Sequence, residues 1–477
     1  MDGPPADARA IEEEVLAAIR PDPATRDRLE AARRHLLARA EAAAREIGSP
    51  VVRCLVAGSA ARGTYLRDRM DIDLFLLFPP PLPRDDFERA GLALARAILP
   101  RGEMRYAEHP YLRGEFEGFA VEAVPGYAVE DSARPQSAVD RTPFHQAYVT
   151  ERLTPEGADQ VRLSKQFLRA LGVYGSDART GGFSGYLIEL LLLRFGSFRA
   201  LLTAARSWRI PVTLLTAPKA PPRLPETVAL VLDDPVDPER NVASALSRRN
   251  LALFVLAAGA YLDRPVRAAF EIPPPRPLDR RGALERVAER GTHVEVLALD
   301  RPDVVDDILF PQLRKAERGL VEEAERLGFC VVGSAAAADP RRAVLVIEVE
   351  HPRLPAVKVQ DGPPAGLDRV DSFLQKWGAP DAPVLQGPYV TADGRLAVEV
   401  RRRERDLGPL LTEALVRLPL GRDLKRTLPA ETRLRPLPET EEEPVLAAAL
   451  ADLLEKRLPW LGARGSPRAS GAADPTA

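Results

Sequence analysis

Residues 51–78 constrain the fold of this chain more than any other part of its sequence. A short apolar run with β-branched residues, 51–57, predicts a buried strand, and Gly58-Ser59 predicts the turn that ends it. A second strand is expected over 71–78, because the three prolines that follow prevent further pairing. Side chains alternate along a strand, so Asp71 and Asp73 are expected to project from the same face, with Cα atoms roughly 6–7 Å apart.

Two carboxylates on one face of a strand are suited to metal-dependent phosphoryl transfer. They can bridge a pair of Mg²⁺ ions held about 3.5–4 Å apart. Taken alone, an Asp-x-Asp pair is more often the solvent-facing start of a strand, but the strand that follows Asp73 is otherwise apolar. A third carboxylate is expected on a neighbouring strand, and Glu122, within an apolar run, is the candidate. An exposed residue at a sheet edge is the competing interpretation of Glu122.

The Gly58-Ser59 turn predicts a phosphate-binding position, because backbone N–H groups and the Ser59 hydroxyl at the start of a helix can hold phosphate oxygens. Arg62, one helical turn later, adds positive charge for a triphosphate. The chain has no Gly-x-x-x-x-Gly-Lys-Ser/Thr sequence, and the regions around Gly91 and Gly102 lack the spacing of dinucleotide-binding loops. The sequence therefore does not predict a P-loop NTPase or a Rossmann-type enzyme.

The chain of 477 residues is too long for one hydrophobic core and predicts several domains. An α/β unit with a small mixed sheet is expected over 1–152, and helix-length apolar periodicity indicates a helical central domain over 153–268. Strands and helices together predict an α+β region over 269–462. Residues 463–477 are mostly Ser, Gly, Ala and Pro, and we expect them to be disordered. The predicted fold class is α+β and multidomain.

Three local expectations follow from the same patterns. Residues 113–118 are expected to form a turn between two strands of the first domain. Residues 184–207 are expected to form a helix without interruption. Pro311 is expected to separate a short segment at 304–310 from a helix over 312–327.

Composition excludes some classes of protein and weakens one argument. The formal net charge of −2 neither indicates nor excludes a nucleic-acid partner. Arginine outnumbers lysine by 60 to 7, so arginine clusters are weak indicators of RNA binding, whereas Lys165 stands out as the only lysine in the first 200 residues.

The longest apolar runs fall short of the roughly 18 residues that span a bilayer, and no secretory signal is visible. Two cysteines, Cys54 and Cys330, in so long a chain indicate a reducing cytoplasm.

The sequence around the turn and the carboxylates is similar to the head motif of the polymerase β-like nucleotidyltransferase superfamily. The similar residues are Gly58-Ser59-x-x-Arg62-Gly63-Thr64-x-Leu66 followed by Asp71-x-Asp73. The wider chain resembles the archaeal, class I CCA-adding enzymes, which are tRNA nucleotidyltransferases. Segments similar to this family follow in the family's order between about 32 and 461: 106–111, 124–127, 137–145, 182–190, 234–243, 310–315, 373–378 and 387–390.

The resemblance implies roles for particular residues. Asp71 and Asp73 would hold the catalytic metals, and Glu122 would complete one metal site, where the family usually has Asp. The positions that the resemblance assigns to the incoming nucleotide are Ser59, Arg62, His145, Lys165, Tyr174 and Arg240. Lys165 would contact phosphate, Tyr174 phosphate or sugar, and Arg240 the base, because a guanidinium forms bidentate hydrogen bonds.

The activity implied by the resemblance is the addition of C, C and A to the 3′ end of tRNA, from CTP and ATP, with no nucleic-acid template and with release of pyrophosphate. Mg²⁺ is the implied cofactor, and the C-terminal body and tail would bind the acceptor stem and TΨC arm by shape and backbone charge. The family also suggests a homodimer. Two interpretations stay open: another RNA nucleotidyltransferase, such as a poly(A) polymerase, and a catalytically impaired RNA-binding homologue, which Glu122 would favour.

Overall fold

The computed structural model of this chain describes residues 6–106, 109–215, 225, 227–274, 278–429 and 431–460. The chain divides into two compact units, Met1–Pro274 together with Leu458–Ala477, and Pro275–Arg457. The predicted disordered tail, 463–477, lies outside the described residues. The predicted boundaries at 152 and 268, between a head, a helical domain and a C-terminal region, stay predictions.

The first unit begins with two helices and a sheet and continues mainly as helices. Its helices are α1 (Ala6–Ile19), α2 (Pro23–Glu46), α3 (Gly58–Arg62), α4 (Arg84–Ile98), α5 (Thr142–Arg152), α6 (Pro155–Ala170), α7 (Gly185–Phe195), α8 (Phe198–Ala205) and α9 (Arg248–Asp263). Its strands are β1 (Arg53–Ala57), β2 (Ile72–Phe78), β3 (Glu103–Tyr106), β4 (Pro110–Phe116), β5 (Phe119–Tyr127), β6 (Val212–Thr213), β7 (Leu230–Val231), β8 (Asp233–Asp234) and β9 (Asp237–Asn241).

The head is built on a five-stranded sheet in the order β1-β2-β5-β4-β3. β2 and β5 run parallel, and the other neighbouring pairs are antiparallel. One face of the sheet packs under α2 and α4, where Leu36, Leu76 and Leu94 are fully buried. Because side chains alternate, Asp73 lies on the opposite face with the buried Phe75. The packing thus leaves the acidic end of β2 on the face opposite α2 and α4.

The strand β4 shows that the predicted turn over 113–118 is wrong. Residues 112–116 pair with β5, and the turn is limited to Glu117 and Gly118, whose φ angles are +50° and +80°. A two-residue turn with two positive φ angles matches the twist of a β-hairpin. Arg113 and Glu115 concealed this strand in the sequence, because the strand is half exposed and places them toward solvent.

The helical part of the first unit has a core formed mainly by α6, α7, α8 and α9 around the buried Phe167. The prediction of an uninterrupted helix over 184–207 is wrong, because the structure has α7 and α8 instead. Gly196 ends α7 with a φ of +84°, and Ser197 begins α8 by accepting a hydrogen bond from the Ala200 amide. The apolar periodicity runs through this break and therefore conceals it.

The N-terminal helix α1 packs into the helical core of the first unit. Val15 is buried there at 4% exposure. Glu12 accepts a hydrogen bond from Arg199 at 2.8 Å and another from the Tyr261 hydroxyl at 3.2 Å. Burial raises the pKa of Glu12, and Arg199 opposes that rise. α1 is therefore part of the folded unit.

The second unit combines two antiparallel sheets with helices. Its helices are α10 (Arg280–Arg290), α11 (Asp306–Leu327), α12 (Val370–Trp377), α13 (Leu407–Ala414), α14 (Arg422–Arg426) and α15 (Pro444–Leu454). Its strands are β10 (His293–Asp300), β11 (Val331–Ala338), β12 (Arg342–Val349), β13 (Val357–Pro364), β14 (Val384–Val390), β15 (Arg395–Arg401) and β16 (Arg435–Pro436). The sheets have the orders β11-β12-β10-β16 and β13-β15-β14.

The helix α11 corrects the expectation that Pro311 interrupts the chain before 312. The helix begins at Asp306 and continues through Pro311. Leu309, Leu313 and Leu320 are all buried on its apolar face. Packing of this face on both sides of the proline stabilises the helix although proline removes one backbone hydrogen bond.

The predicted α+β multidomain fold class is confirmed by these helices and sheets. In the part of the chain that the structure describes, no helix combines the length and the apolar character that crossing a membrane requires. Cys54 and Cys330 are both free thiols.

We expect Val15→Asp to destabilise the first unit by about 3 kcal/mol, because it places an unpaired charge in an apolar core. Ala17→Asp is the matched control, since Ala17 is exposed on the same helix. Thermal unfolding followed by circular dichroism measures both variants. Equal melting temperatures for the two variants would contradict the placement of α1 in the core.

Candidate active site

The three carboxylates predicted for catalysis lie on two neighbouring strands, at the start of β2 and in the first half of β5. β2 and β5 are parallel, and Asp73 is the register partner of Glu122. Asp71 directly precedes β2 and is two residues from Asp73, so both project from the same face. Parallel pairing thus brings together carboxylates that are far apart in the chain.

Burial and the neighbouring carboxylates together favour the protonated form of Asp73. The pKa of Asp73 is raised to about 7, first because the side chain is buried and then because Glu122 and Asp71 are close. Arg62 and Lys165 act in the opposite direction. Because like charges at this spacing disfavour ionisation, a bound cation would favour the ionised carboxylates.

The donor set fits a hard divalent cation such as Mg²⁺, which prefers carboxylate oxygens. Asp71 Oδ2 lies 3.6 Å from Arg69 Nε, and Glu122 Oε1 lies 3.8 Å from Arg113 Nη1. In these orientations, no three acidic, histidine or cysteine side chains among the described residues are grouped closely enough to hold a metal. The two arginine contacts are partly exposed and longer than a hydrogen bond, so turning the carboxylates toward Asp73 costs little free energy.

The turn before α3 depends on Gly58. Its φ is +72°, and a β-carbon at this position would lie 1.8 Å from Asp73 Oδ2. Any other residue would therefore displace the Asp73 carboxylate as well as strain the backbone. Ala57, the last residue of β1, is the register partner of Asp73. Ser59, the second residue of α3, follows Ala57 by two residues, so this pairing places the start of α3 beside the carboxylates.

A buried network joins the residues around α3 to the helical region. Glu189 of α7, which is 1% exposed, accepts a hydrogen bond from Arg62 Nη1 at 2.5 Å and one from the Thr64 hydroxyl at 2.7 Å. Lys165 Nζ of α6 donates to the Thr64 carbonyl at 2.9 Å and to its hydroxyl at 3.2 Å. Arg62 Nε donates to the Gly58 carbonyl at 3.1 Å. The network fixes the orientation of two predicted phosphate-binding cations.

The Lys165 ammonium and the Tyr174 hydroxyl both lie close to Gly185, at the start of α7. A β-carbon on Gly185 would lie 3.6 Å from the Tyr174 hydroxyl and 3.8 Å from Lys165 Nζ. Burial lowers the pKa of Lys165 to about 8, with Glu189 opposing the shift, so the ammonium keeps its proton at neutral pH. Burial raises the pKa of Tyr174, so its hydroxyl stays a neutral donor. Both groups are suited to phosphate oxygens.

His145 and Arg240 meet at Asp234, a residue that the sequence did not single out. Asp234 Oδ2 lies 2.7 Å from His145 Nε2 and 2.7 Å from Arg240 Nη1. The Tyr186 hydroxyl donates to Asp234 Oδ1 at 2.9 Å, and the rings of His145 and Tyr186 stack with centroids 4.0 Å apart.

The structure therefore places the predicted residues in two groups. The first comprises the carboxylates and the predicted phosphate contacts: Asp71, Asp73, Glu122, Ser59, Arg62, Lys165 and Tyr174. The second comprises His145 and Arg240. The groups are close enough to interact, because the pKa of His145 is lowered first by burial and also by the charges of Arg240 and Arg62, against the opposing effect of Asp234.

Sequence reasoning missed Glu189, Thr64 and Asp234. Glu189 could have been found, because it interrupts the apolar run 186–195, and a carboxylate in a buried helix needs a partner. Asp234 had a weaker indication, an Asp-Pro-Val-Asp-Pro segment. Thr64 was visible only as one position of the head motif, and its contacts with Glu189 and Lys165 depend on the two helices packed against it.

Fold and site together define a nucleotidyltransferase. A parallel strand pair carries three carboxylates beside a Gly-Ser turn, and residues 37–145 match the family model described as a nucleotidyltransferase domain. Residues 159–271 match the tRNA nucleotidyltransferase second domain, and residues 290–435 match the CCA-adding enzyme C-terminal domain.

The similarity to proteins named as CCA-adding enzymes extends over most of the chain. This chain is 43% identical to the CCA-adding enzyme of Halobacterium salinarum over 417 residues, which cover 87% of this chain and 91% of that protein. The CCA-adding enzyme of Haloarcula marismortui is 40% identical, covering 88% and 92%. That of Methanoregula boonei is 37% identical, covering 88% and 90%. The chain belongs to the CCA-adding enzyme family.

We expect Gly58→Ala to lower nucleotide transfer by about 100-fold, because its β-carbon displaces the Asp73 carboxylate. Gly63→Ala is the matched control: its φ is +67°, and a β-carbon there meets nothing within 4 Å. Both variants carry about 1 kcal/mol of backbone strain, but only the first has the clash. Steady-state incorporation of labelled nucleotide compares them. Equal losses would assign the effect to strain and contradict the clash.

We expect Glu189→Gln to lower the free energy of unfolding of the first unit by about 3 kcal/mol, because it leaves the Arg62 side chain, which is only 9% exposed, without its counter-charge. Glu156→Gln, an exposed position on α6, is the control and should change it by less than about 0.5 kcal/mol. Urea titration followed by fluorescence or circular dichroism measures the difference. A change in Glu189→Gln no larger than the control would rule out the network as a stabilising contact.

Proposed function

We propose that this chain adds C, C and A in turn to the 3′ end of tRNA, using CTP and ATP without a nucleic-acid template and releasing pyrophosphate. The observation that carries the proposal is the pairing of Asp73 with Glu122, beside the turn at Gly58, in a chain that is 43% identical to a CCA-adding enzyme over 87% of its length. Carboxylates next to a phosphate-binding turn are what nucleotidyl transfer requires.

The acidic residues are the proposed metal ligands. Asp71, Asp73 and Glu122 would hold Mg²⁺, which when bound supplies a lower pKa at the attacking hydroxyl and positive charge at the phosphates. Asp73 is adjacent to both of the other carboxylates, since it is two residues after Asp71 and opposite Glu122. Glu122 is one methylene longer than the Asp that the family usually has, so its carboxylate would extend further from β5 toward the site.

The proposed triphosphate site uses the residues around α3 and the two helices behind it. Arg62 keeps donors for phosphate, because a guanidinium has five N–H groups and, among the described residues, it donates to the Gly58 carbonyl and to Glu189 alone. Lys165 supplies a protonated ammonium, and Tyr174 supplies a hydroxyl. Ser59 would add a hydroxyl and a backbone N–H at the start of α3. These groups would orient the α-phosphate for in-line attack and neutralise the departing pyrophosphate.

His145 and Arg240 are the proposed contacts to the sugar and base. Arg240 is 35% exposed and, within the described part of the chain, is anchored through Nη1 alone, so the other edge of its guanidinium can reach a base. The growing RNA end and these side chains together would shape the pocket that accepts C or A.

The second unit is the proposed binding region for the acceptor stem and TΨC arm of tRNA. Arg401 and Arg403, at the end of β15, are exposed. Arg342 is a poorer candidate, because it lies 2.8 Å from Asp300 and 3.6 Å from Glu443, whose charges it offsets. A homodimer and a cytoplasmic location stay predictions.

We expect the purified chain, with Mg²⁺, to add two C and then one A to tRNA that ends at the discriminator base. Asp71→Ala, Asp73→Ala and Glu122→Ala should each lower incorporation by at least about 100-fold, with Asp73→Ala the most severe. Asp85→Ala, an exposed carboxylate on α4, should leave the rate within about twofold. Radiolabelled CTP and ATP with gel resolution of each addition are the measurement.

The products separate the other interpretations from this proposal. Long A tails would favour a poly(A) polymerase. No incorporation with intact tRNA binding would favour an impaired RNA-binding homologue. Glu122→Asp tests the unusual third carboxylate: activity within about tenfold of the wild type would indicate that either carboxylate serves at this position.

A further inference from the structure

Asp234 has an unusual number of partners for a residue outside the predicted catalytic set. It belongs to β8, which pairs with β9, and its side chain is fully buried at 0% exposure. Oδ2 accepts from His145 Nε2 and from Arg240 Nη1, both at 2.7 Å. Oδ1 accepts from the Tyr186 hydroxyl at 2.9 Å and from the Val236 amide at 3.2 Å. Donors from α5, α7 and β9 therefore converge on one carboxylate.

Burying an ionised carboxylate costs several kcal/mol unless its lone pairs are used, and here four donors use them. Burial alone would raise the pKa of Asp234, but the bonds from His145, Val236 and Arg240 bring it below its ordinary value. The carboxylate is therefore ionised at neutral pH and acts only as an acceptor.

An ionised Asp234 determines which nitrogen of His145 carries the proton. Burial lowers the pKa of His145, so the imidazole is neutral at pH 7. A neutral imidazole that donates from Nε2 to a carboxylate keeps a lone pair on Nδ1. Stacking on Tyr186, with 29° between the ring planes, restricts rotation of the imidazole. Asp234 thus sets both the tautomer and the orientation of this side chain.

Asp234 acts on Arg240 in the same way. A guanidinium is planar, so fixing Nη1 on a carboxylate at 2.7 Å also orients the donors on Nε and Nη2. Correct alignment of such donors is what allows a site to distinguish bases by hydrogen bonding, since a mismatched base leaves polar groups unpaired. An Arg240 without this anchor has many rotamers and would lose that discrimination.

We propose that Asp234 is a positioning residue for nucleotide selection: it holds the Arg240 guanidinium and the His145 imidazole in one fixed arrangement that reads the base and sugar of the incoming nucleotide. The inference rests on the proposed function. It extends that function by assigning selectivity to a residue that touches no substrate.

The same hairpin contains a matched control. Asp237, at 4% exposure, accepts a hydrogen bond from Arg141 Nε at 2.8 Å. This pair also holds the hairpin to the segment that begins α5, but Asp237 accepts its side-chain hydrogen bonds from Arg141 and the Glu239 amide and not from His145 or Arg240. A purely structural role of the hairpin would make Asp234 and Asp237 equivalent, whereas a positioning role makes them different.

The test compares Asp234→Asn with Asp237→Asn in single-nucleotide incorporation of CTP and UTP into tRNA that ends at the discriminator base. Asparagine keeps the shape but replaces one accepting oxygen with a donor. The readout is the ratio of kcat/KM for CTP to that for UTP, which does not depend on the fraction of folded enzyme. We expect Asp234→Asn to reduce this ratio by about 10-fold, mainly through a higher KM for CTP, and Asp237→Asn to leave it unchanged.

A double variant tests whether Asp234 acts through Arg240. Asp234→Asn added to Arg240→Ala should lower the ratio by less than about twofold further, since the anchored group is already gone. Full additivity would overturn the proposal. If Asp234→Asn does not fold, Asp234→Glu keeps the charge but shifts the carboxylate by one methylene, and a wild-type ratio in that variant would also overturn it.

The outcomes separate this inference from the proposed function. Wild-type chain that adds no nucleotide would overturn both. Ordered addition of C, C and A by the wild type, with the same CTP to UTP ratio in both asparagine variants, would overturn only the role of Asp234 and leave it a structural contact of the hairpin.

Discussion

The parallel pairing of β2 with β5 holds like charges against each other, and the surrounding structure is organised around that constraint. Asp73 and Glu122 are register partners, and Asp71 adds a third carboxylate on the same face. Such an arrangement is unfavourable without positive charge nearby. Arg62 and Lys165 supply part of that charge from α3 and α6, and Gly58 leaves room for the Asp73 carboxylate because it has no β-carbon. The metal that the family uses would supply the rest.

Two buried carboxylates, Glu189 and Asp234, orient the side chains that the resemblance assigns to the nucleotide. Each accepts hydrogen bonds from side chains on different elements: Glu189 from Arg62 and Thr64, Asp234 from His145, Tyr186 and Arg240. Fully used buried acceptors rigidify the groups that donate to them. Preorganised groups cost less to align when substrate binds, which is why such supporting contacts matter for catalysis and selectivity.

Sequence reasoning recovered β1 and β2, which carry the predicted catalytic residues, because their pattern is local. The apolar run that ends in a Gly-Ser turn and the Asp-x-Asp start of β2 are read from alternation and turn residues alone. β4 was missed because a half-exposed strand with Arg113 and Glu115 looks like a loop, and the break between α7 and α8 was missed because apolar periodicity continues across Gly196. In both cases the missing information was which face of the segment is buried.

The sequence by itself determined the apolar periods, the turn at Gly58, the shared face of Asp71 and Asp73, and the family, since these depend on neighbouring residues and on ordered segments. Only the tertiary structure decided that Glu122 stands opposite Asp73, that Gly58 touches its carboxylate, and that Glu189 and Asp234 hold the cations around the site. The physical reason is that hydrogen-bond partners and strand register are chosen by packing between distant segments, and the identity of a distant partner leaves no periodicity in the chain.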